Sequence, residues 1–374
     1  MKKKKKILYQ LIFSAFLLFS NAYLVKANSD ILSQDSTGKY CINTEQDYYN
    51  FIENIQNYNN KTVILCNDID ISDVPEATSS FGGILNGKGH TITYASKEAK
   101  ENIAVFPFRI NDNGIVENIN VQIDESYAYN SETDEFQTVF SRCDGIAKGI
   151  TIKGNVTCIY DDEDTDVYIG AIEGNGTLMD SSIAITYDLQ SEKTIEEIAD
   201  DIVDNDLSFE FCQLGTINTG ITYQNCIGYG QYSEAIKSLA DELEPKIKDN
   251  TWGYLCVSFT RKSFFSTSAS ATNCYYDKEN MPDIKIMSEY ITNRDNNKEF
   301  PNYADFGKTT SEMKNQGTYE GFDFNKKWTI SPEDNNGYPY YNPQTEEITL
   351  KVQASTEPKV WSTSVPRDYN RFVD

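Results

Sequence analysis

Three short segments recur at one interval. "VENINV" (116–121), "AKGITI" (147–152) and "LMDSSI" (178–183) start 31 residues apart, and "YQNCIG" (223–228) and "ATNCYY" (271–276) follow at intervals of 45 and 48. The five align without gaps. Each offers an apolar or small residue, a spacer and a turn-former, and then an alternating strand begins. The turn-formers are Asn118, Gly149, Asp180, Asn225 and Asn273, residue types that enter the left-handed backbone region at least cost. Strands at this period, without regular helices between them, do not suit a doubly wound α/β sheet. Parallel strands need a long return path, and a chain that climbs above its own start at each turn supplies one. The expected fold class is therefore all-β, a parallel β-helix (solenoid). Its turn residues stack, and asparagine amides bond from one coil to the next.

The same reading organises the rest of the chain. "FGGILNGKGHTITYA" (81–95) is a sharp turn between two strands of an early coil, with Gly82, Gly83, Gly87 and Gly89 permitting the turn. His90 is expected to pack beside it in a structural role. "NTEQDYYNFIENIQNY" (43–58) reads as an N-terminal capping helix. Thr44 and Asp47 resemble a capping box, and Tyr48, Phe51, Ile52 and Ile55 recur at helical spacing. "TVILCNDIDI" (62–71) is expected as the first strand. "TIEEIADDIVDN" (194–205) and "SEAIKSLADELEPKIKD" (233–249) are helical patterns within the two stretched intervals. They read as insertions, near 190–210 and 230–250, standing off one side of the stack. The β-helix is expected over 41–280, a segment closing its C-terminal end over 281–345, and a tail over 346–374.

"MKKKKKILYQLIFSAFLLFSNAYLVKA" has a positive start and an apolar run too short to span a bilayer, which reads as a signal peptide over 1–27, with cleavage after Ala22 or Ala27. A leader over 28–40 follows. Loss of residues 1–27 removes six lysines and no acid, so the formal charge falls from −24 to −30. Such acidity argues against nucleic acid and anionic membrane surfaces as partners, because both need a basic face, and leaves open cationic partners, divalent ions and neutral glycans. No membrane insertion is expected after signal removal. The expected location is secreted or extracellular, with any hold on a cell surface non-covalent.

His90 is the only histidine, which removes HExxH and all two-histidine metal sites. Eight cysteines lie beyond the signal, with no CxxC pair. An even number in an exported chain suggests disulfides. Cys226 and Cys274 share one repeat position, directly after the turn asparagine, and are candidates to bridge adjacent coils. Cys212 and Cys256 are a second candidate pair, and stacked buried thiols are the alternative for both.

The chain also resembles a known group. "KYCINTEQDYYNFIENI", "KTVILCNDIDIS" and "FGGILNGKGHTI" are similar to the start of bacterial secreted proteins carrying GLUG-type repeats, which group with pectate-lyase-like right-handed β-helices. "KTTSEMKNQGTYEGFDFNKKWTISPEDNNGYPYY" (308–341) resembles their closing segment. It carries Thr309 and Met313, Phe322-Asp323-Phe324 with Trp328, and the turn Gly337-Tyr338-Pro339. "NCYYDKE" (273–279) resembles the strand that ends their repeats. The resemblance implies a right-handed parallel β-helix on an exported protein, often an adhesin or surface-binding module, and no shared active site.

Chemistry is sparse. "DDEDTD" (161–166) is the densest acidic run. No cofactor is expected, but Asp161, Asp162, Asp164 and Asp166 are the first ligands to consider for calcium, which prefers several oxygens. Arg109 and Arg142, with Asp112 and Asp144 close behind, lie at comparable points of successive coils and form a candidate carbohydrate-handling row. The function expected is adhesin-like binding of an extracellular glycan or a host or surface protein. A polysaccharide lyase is the first alternative and a structural envelope or matrix component the second.

Overall fold

The computed structural model describes residues 32–72, 74–75, 77–94, 105–128, 137–160, 166–215, 220–248, 251–258, 270–282, 284–286, 288 and 306–342. These are mostly β, arranged in long parallel sheets of the kind a β-solenoid contains. The larger sheet has 15 strands, all joined in parallel, and its main path climbs from Tyr40–Ile42 through Thr62–Leu65, Ile84–Asn86, Ile115–Ala128, Ile146–Ile159 and Ser182–Gln190 to Gly307–Lys308. A six-stranded sheet faces it, containing Phe106–Ile110, Gln137–Cys143, Val167–Ile172, Ser208–Cys212 and Tyr254–Ser258 in parallel, with Ile284–Ile286 added antiparallel.

One apolar core fills the space between the two sheets. It is built of columns, because parallel in-register strands put the same repeat position of each rung above its predecessor. One inward column runs Val63, Leu85, Val116, Ala147, Leu178 and Tyr223, and all six are buried. A second runs Ile69, Ile92, Val121, Ile152 and Ile183.

Register also aligns the five turn residues. Glu117, Lys148, Met179, Gln224 and Thr272 are successive partners, so Asn118, Gly149, Asp180, Asn225 and Asn273, each next in the chain, stand in one line. All five have positive φ, 56°, 62°, 49°, 52° and 52°. Asn273 Nδ2 donates to Asn225 Oδ1 (3.2 Å), and Asn225 Nδ2 donates to Asp180 Oδ1 (3.0 Å). Gly149 interrupts the line, and Asn118 Oδ1 below it is buried without a hydrogen bond.

The N-terminal end is closed by helix α1 (Glu45–Glu53). Thr44 caps it by accepting the Asp47 N–H (3.1 Å), but the Asp47 carboxylate takes the N–H of Asn43 (3.0 Å), one residue before the reciprocal arm of a capping box. Tyr48, Phe51, Ile52 and Ile55 are all buried, and Phe51 meets Phe81 and Phe108 edge to face. The expected first strand is not the first: Tyr40–Ile42 forms a rung beneath Thr62–Leu65, and a Cys41–Cys66 disulfide joins the two. The expected pairs Cys226–Cys274 and Cys212–Cys256 are not bridged. Cys226 and Cys274 do stack, but as thiols donating to carbonyls of their own turns (Gln224 O and Thr272 O, both 3.4 Å). Burial pushes the Cys226 thiol well up, and the Cys274 thiol adds to the shift. Cys212 and Cys256 are out of step, since Cys256 pairs with Glu210 and Cys212 with Ser258.

The two helical insertions form helices α2 (Ile195–Asp204) and α3 (Glu234–Leu243). They do not stand off the stack. Ile198, Ala199, Ile202, Ile236, Leu239 and Leu243 belong to the main core, so each helix closes one side of its own rung and lies beside the other. Among the described residues no helix is long and apolar enough to cross a membrane.

The closing segment does less at the end than expected. Gly307–Lys308 adds one short rung and helix α4 (Thr310–Met313) follows, after which the chain folds back along the outside of the larger sheet as a flap. Met313, Tyr319, Phe322, Trp328, Tyr338 and Tyr341 form a second core there with Ile227 and Tyr275. The physical reason is a change in the outward positions. Thr91, Asn120, Thr151, Ser182, Ile227 and Tyr275 form one column. It is polar in the lower rungs and apolar in the upper two, which is where the aromatic flap lies.

Candidate functional site

Where the flap stops covering the column, a groove of about 420 Å³ opens between the sheet and the flap. Its floor is two outward columns of adjacent rungs. Thr91, Asn120 and Thr151 form one, and Gln122 and Lys153 are register partners in the next. Asp334, Asn335 and Tyr340 of the flap form the wall. The strand period of two aims these side chains to one face while Val121 and Ile152 between them point to the core. Every floor residue named carries a hydrogen-bonding group, and Tyr340 adds a half-buried ring.

The wall is held firmly. Tyr229 donates to Asn335 Oδ1 (3.0 Å) and stacks on Tyr338 with ring centroids 4.4 Å apart. Burial pushes the Tyr229 phenol up to about 12, so it stays a donor. Asn335 spends its amide on the carbonyls of Tyr338 and Pro339. Tyr338 donates to buried Asp277 (2.5 Å), which also accepts from Thr310 (2.8 Å) and from Asn280. Lys327 reaches Asp180 of the turn line at 3.0 Å. The floor is anchored too: Asn120 Nδ2 donates to Gly89 O, and Ser182 to Thr151 (3.3 Å). Lys153 differs. It has no hydrogen-bond or ion-pair partner among the described residues, and loss of solvent around it holds its ammonium below the usual lysine range.

The expected site residues lie elsewhere. Arg109 and Arg142 are register partners, as the spacing suggested. Both Nε–H groups are taken by Asp144 Oδ2, at 2.6 and 3.1 Å, and Arg142 also approaches Glu173 at 3.9 Å. Burial works to raise the Asp144 carboxyl, but the hydrogen bonds and charges of the two arginines outweigh it and hold it below its ordinary 3.8. Burial raises Glu173. Asp112 is exposed and takes no part in these hydrogen bonds and ion pairs. The row is a closed clamp between rungs. Asp161, Asp162 and Asp164 lie outside the described residues. Asp166 accepts from Ser208 N–H (2.6 Å) and Tyr168 (3.0 Å). Among the described residues no three His, Cys, Asp or Glu side chains gather as a metal site. His90 places Nδ1 3.0 Å from Asp68, whose carboxylate also accepts the Thr91 N–H, so it ties one rung to the next at the groove's lower edge.

Lys153, Asn120, Gln122 and Thr151 escaped the sequence reading. The signal was present, because the outward positions of the strand after each turn are Thr91, Asn120, Thr151 and Ser182 in turn. Only their use as a floor depended on where a segment more than 150 residues later would lie.

No family model matches the chain, and neither a curated protein nor a solved structure matches it.

Proposed function

We propose that this chain is an exported right-handed parallel β-helix whose groove beside the flap binds a glycan. The fold reading is supported by the unbroken parallel register of the larger sheet and the line of left-handed turn residues. Export is supported by the charged and apolar pattern of residues 1–27. The observation that carries the binding reading is the groove itself. Adjacent rungs present hydroxyl and amide groups at the strand spacing of about 4.8 Å, beside the ring of Tyr340. A sugar offers hydroxyls at comparable intervals and an apolar ring face suited to an aromatic side chain. The lyase alternative placed on Arg109 and Arg142 has less support, because both guanidinium groups are engaged by Asp144.

The test is a glycan array probed with the secreted chain and with Asn120→Ala and Gln122→Ala variants. The wild type should retain a defined set of saccharides, and each variant should weaken them by about tenfold, the worth of a buried hydrogen bond. Retention of none, or binding that ignores both substitutions, would refute the reading.

A further inference from the structure

From the position of Lys153 we infer that the groove selects saccharides bearing an oxyanion, a carboxylate or a sulfate, over their neutral counterparts. This rests on the groove being the glycan site.

Lysines in this chain that reach a carboxylate generally do so closely. Lys193 meets Asp201 at 2.8 Å, Lys246 meets Asp200 at 2.7 Å and Lys327 meets Asp180 at 3.0 Å. Lys61, Lys88, Lys278, Lys314 and Lys326, which have no ion pair among the described residues, are exposed to solvent. Lys153, by contrast, sits half-buried with no such partner among the described residues, on the floor of the groove. Its register partners are Gln122 below and Ala184 above, neither of which can neutralise it. Asp334 and Tyr340 are the other titratable groups lining the groove, and Asp334 is not within ion-pair distance of it.

An ammonium that has lost water without gaining a counter-charge is destabilised, which agrees with the direction of its titration. An oxyanion entering the groove supplies that counter-charge. It also meets donors already in place, since the Gln122 amide and the Thr151 hydroxyl stand on the same floor. A neutral sugar gains no such term. Asp334 on the facing wall opposes an anion, so its charge sets a limit on the preference.

Three matched probes separate the possibilities: lactose, 3′-sialyllactose with a carboxylate, and 3′-sulfated lactose. Titration calorimetry on the secreted chain should show one or both anionic probes binding about tenfold more tightly than lactose, as one charge-assisted hydrogen bond predicts. Which of the two is preferred identifies the oxyanion. Lys153→Gln should reduce the ratio of anionic to neutral affinity to about one, and Asp334→Asn should increase it. Thermal unfolding of Lys153→Gln should match or exceed the wild type, because the substitution removes an uncompensated charge. Equal binding of the three probes by the wild type, or an anionic preference that survives Lys153→Gln, would overturn the inference and leave glycan binding standing. Failure of all three probes to bind, together with an empty glycan array, would remove both.

Discussion

Gly149 is the one position in the turn line without a side chain, and the flap is the reason. A Cβ built there would lie 2.4 Å from Tyr341 Cε1 and 2.9 Å from Asn118 Oδ1. Gly149→Asn separates two explanations for the glycine. Backbone strain is small, because asparagine or aspartate already holds φ of 49° to 56° at the other four positions. The steric effect is large. To admit the side chain, Tyr341 must leave a site where it is 3% exposed and edge-on to Trp328, with centroids 6.0 Å apart. Losing that burial costs about 2 kcal/mol and the ring contact about 0.5–1 kcal/mol more. In a Tyr341→Ala background the ring clash is gone, and the remaining approach, 2.9 Å to Asn118 Oδ1, is relieved by a small turn of the Asn118 amide. The new amide can then donate to Asn118 Oδ1, which has no partner, for a gain of about 1 kcal/mol. Gly149→Asn should therefore destabilise the wild type by about 2–3 kcal/mol and be neutral or stabilising beside Tyr341→Ala. The assay is a double-mutant cycle by urea unfolding, followed by far-UV circular dichroism and tryptophan fluorescence. A cost equal in both backgrounds within about 0.5 kcal/mol would show that the glycine serves backbone conformation and not flap docking.

Asp277→Ala should cost about 2–4 kcal/mol, because it strands the Tyr338 and Thr310 hydroxyls inside the joint of the flap; limited proteolysis should then cut the flap first. Replacing Cys41 and Cys66 together by serine should cost about 3 kcal/mol from the entropy of a 25-residue separation, read as a fall in the urea midpoint. Asp144 titrates below its unfolded value, so its contribution is complete above about pH 4 and is lost as pH falls through the lower folded value. Asp144→Asn should thus flatten the acid limb of the stability curve, whereas Glu173, which burial raises, contributes with the opposite sign.

The parallel stack was legible because its determinants are local and repeated. A turn-former followed by alternating apolar residues is decided within six residues, and the 31-residue interval leaves the chain one way to align Asn118, Gly149 and Asp180. Helix α1 was legible for the same reason, through Thr44 and the spacing of Tyr48, Phe51 and Ile52. The groove was not, because its two sides come from residues 91–153 and 334–340, and the spacing within either segment says nothing of the other. The change from Ser182 to Ile227 and Tyr275 in one outward column marks where a cover belongs, but that column is visible only once the register is known. For Cys226 and Cys274 the alternative of stacked thiols is what the structure holds. Cys226 and Cys274 do share a repeat position, yet each thiol has a carbonyl acceptor in its own turn. Cys212 and Cys256 sit two residues out of register, a displacement that no spacing rule in the degenerate second sheet could reveal.

The ends of the stack explain where the covalent and aromatic devices are placed. An interior rung is paired on both sides, and its neighbours fix its register through every backbone bond and through the Asp180–Asn225–Asn273 line. A terminal rung has one neighbour and half of that support. At the lower end the chain adds a helix that fills the open core with Phe51 and Tyr48, and a disulfide that holds Tyr40–Ile42 to the rung above. At the upper end the last strands shorten to two or three residues, and no disulfide joins them among the described residues. The flap substitutes for one. Tyr338 and Thr310 converge on Asp277 in the Tyr275–Asp277 rung, and Lys327 reaches down to Asp180 two rungs below the line of Asn273. A segment that must grip several rungs to stabilise the top necessarily lies along the side of the stack, and the groove opens at its lower margin. The groove is therefore a by-product of closing the fold, and substitutions that loosen the Asp277 joint should lower stability and, on the proposed reading, weaken glycan affinity with it.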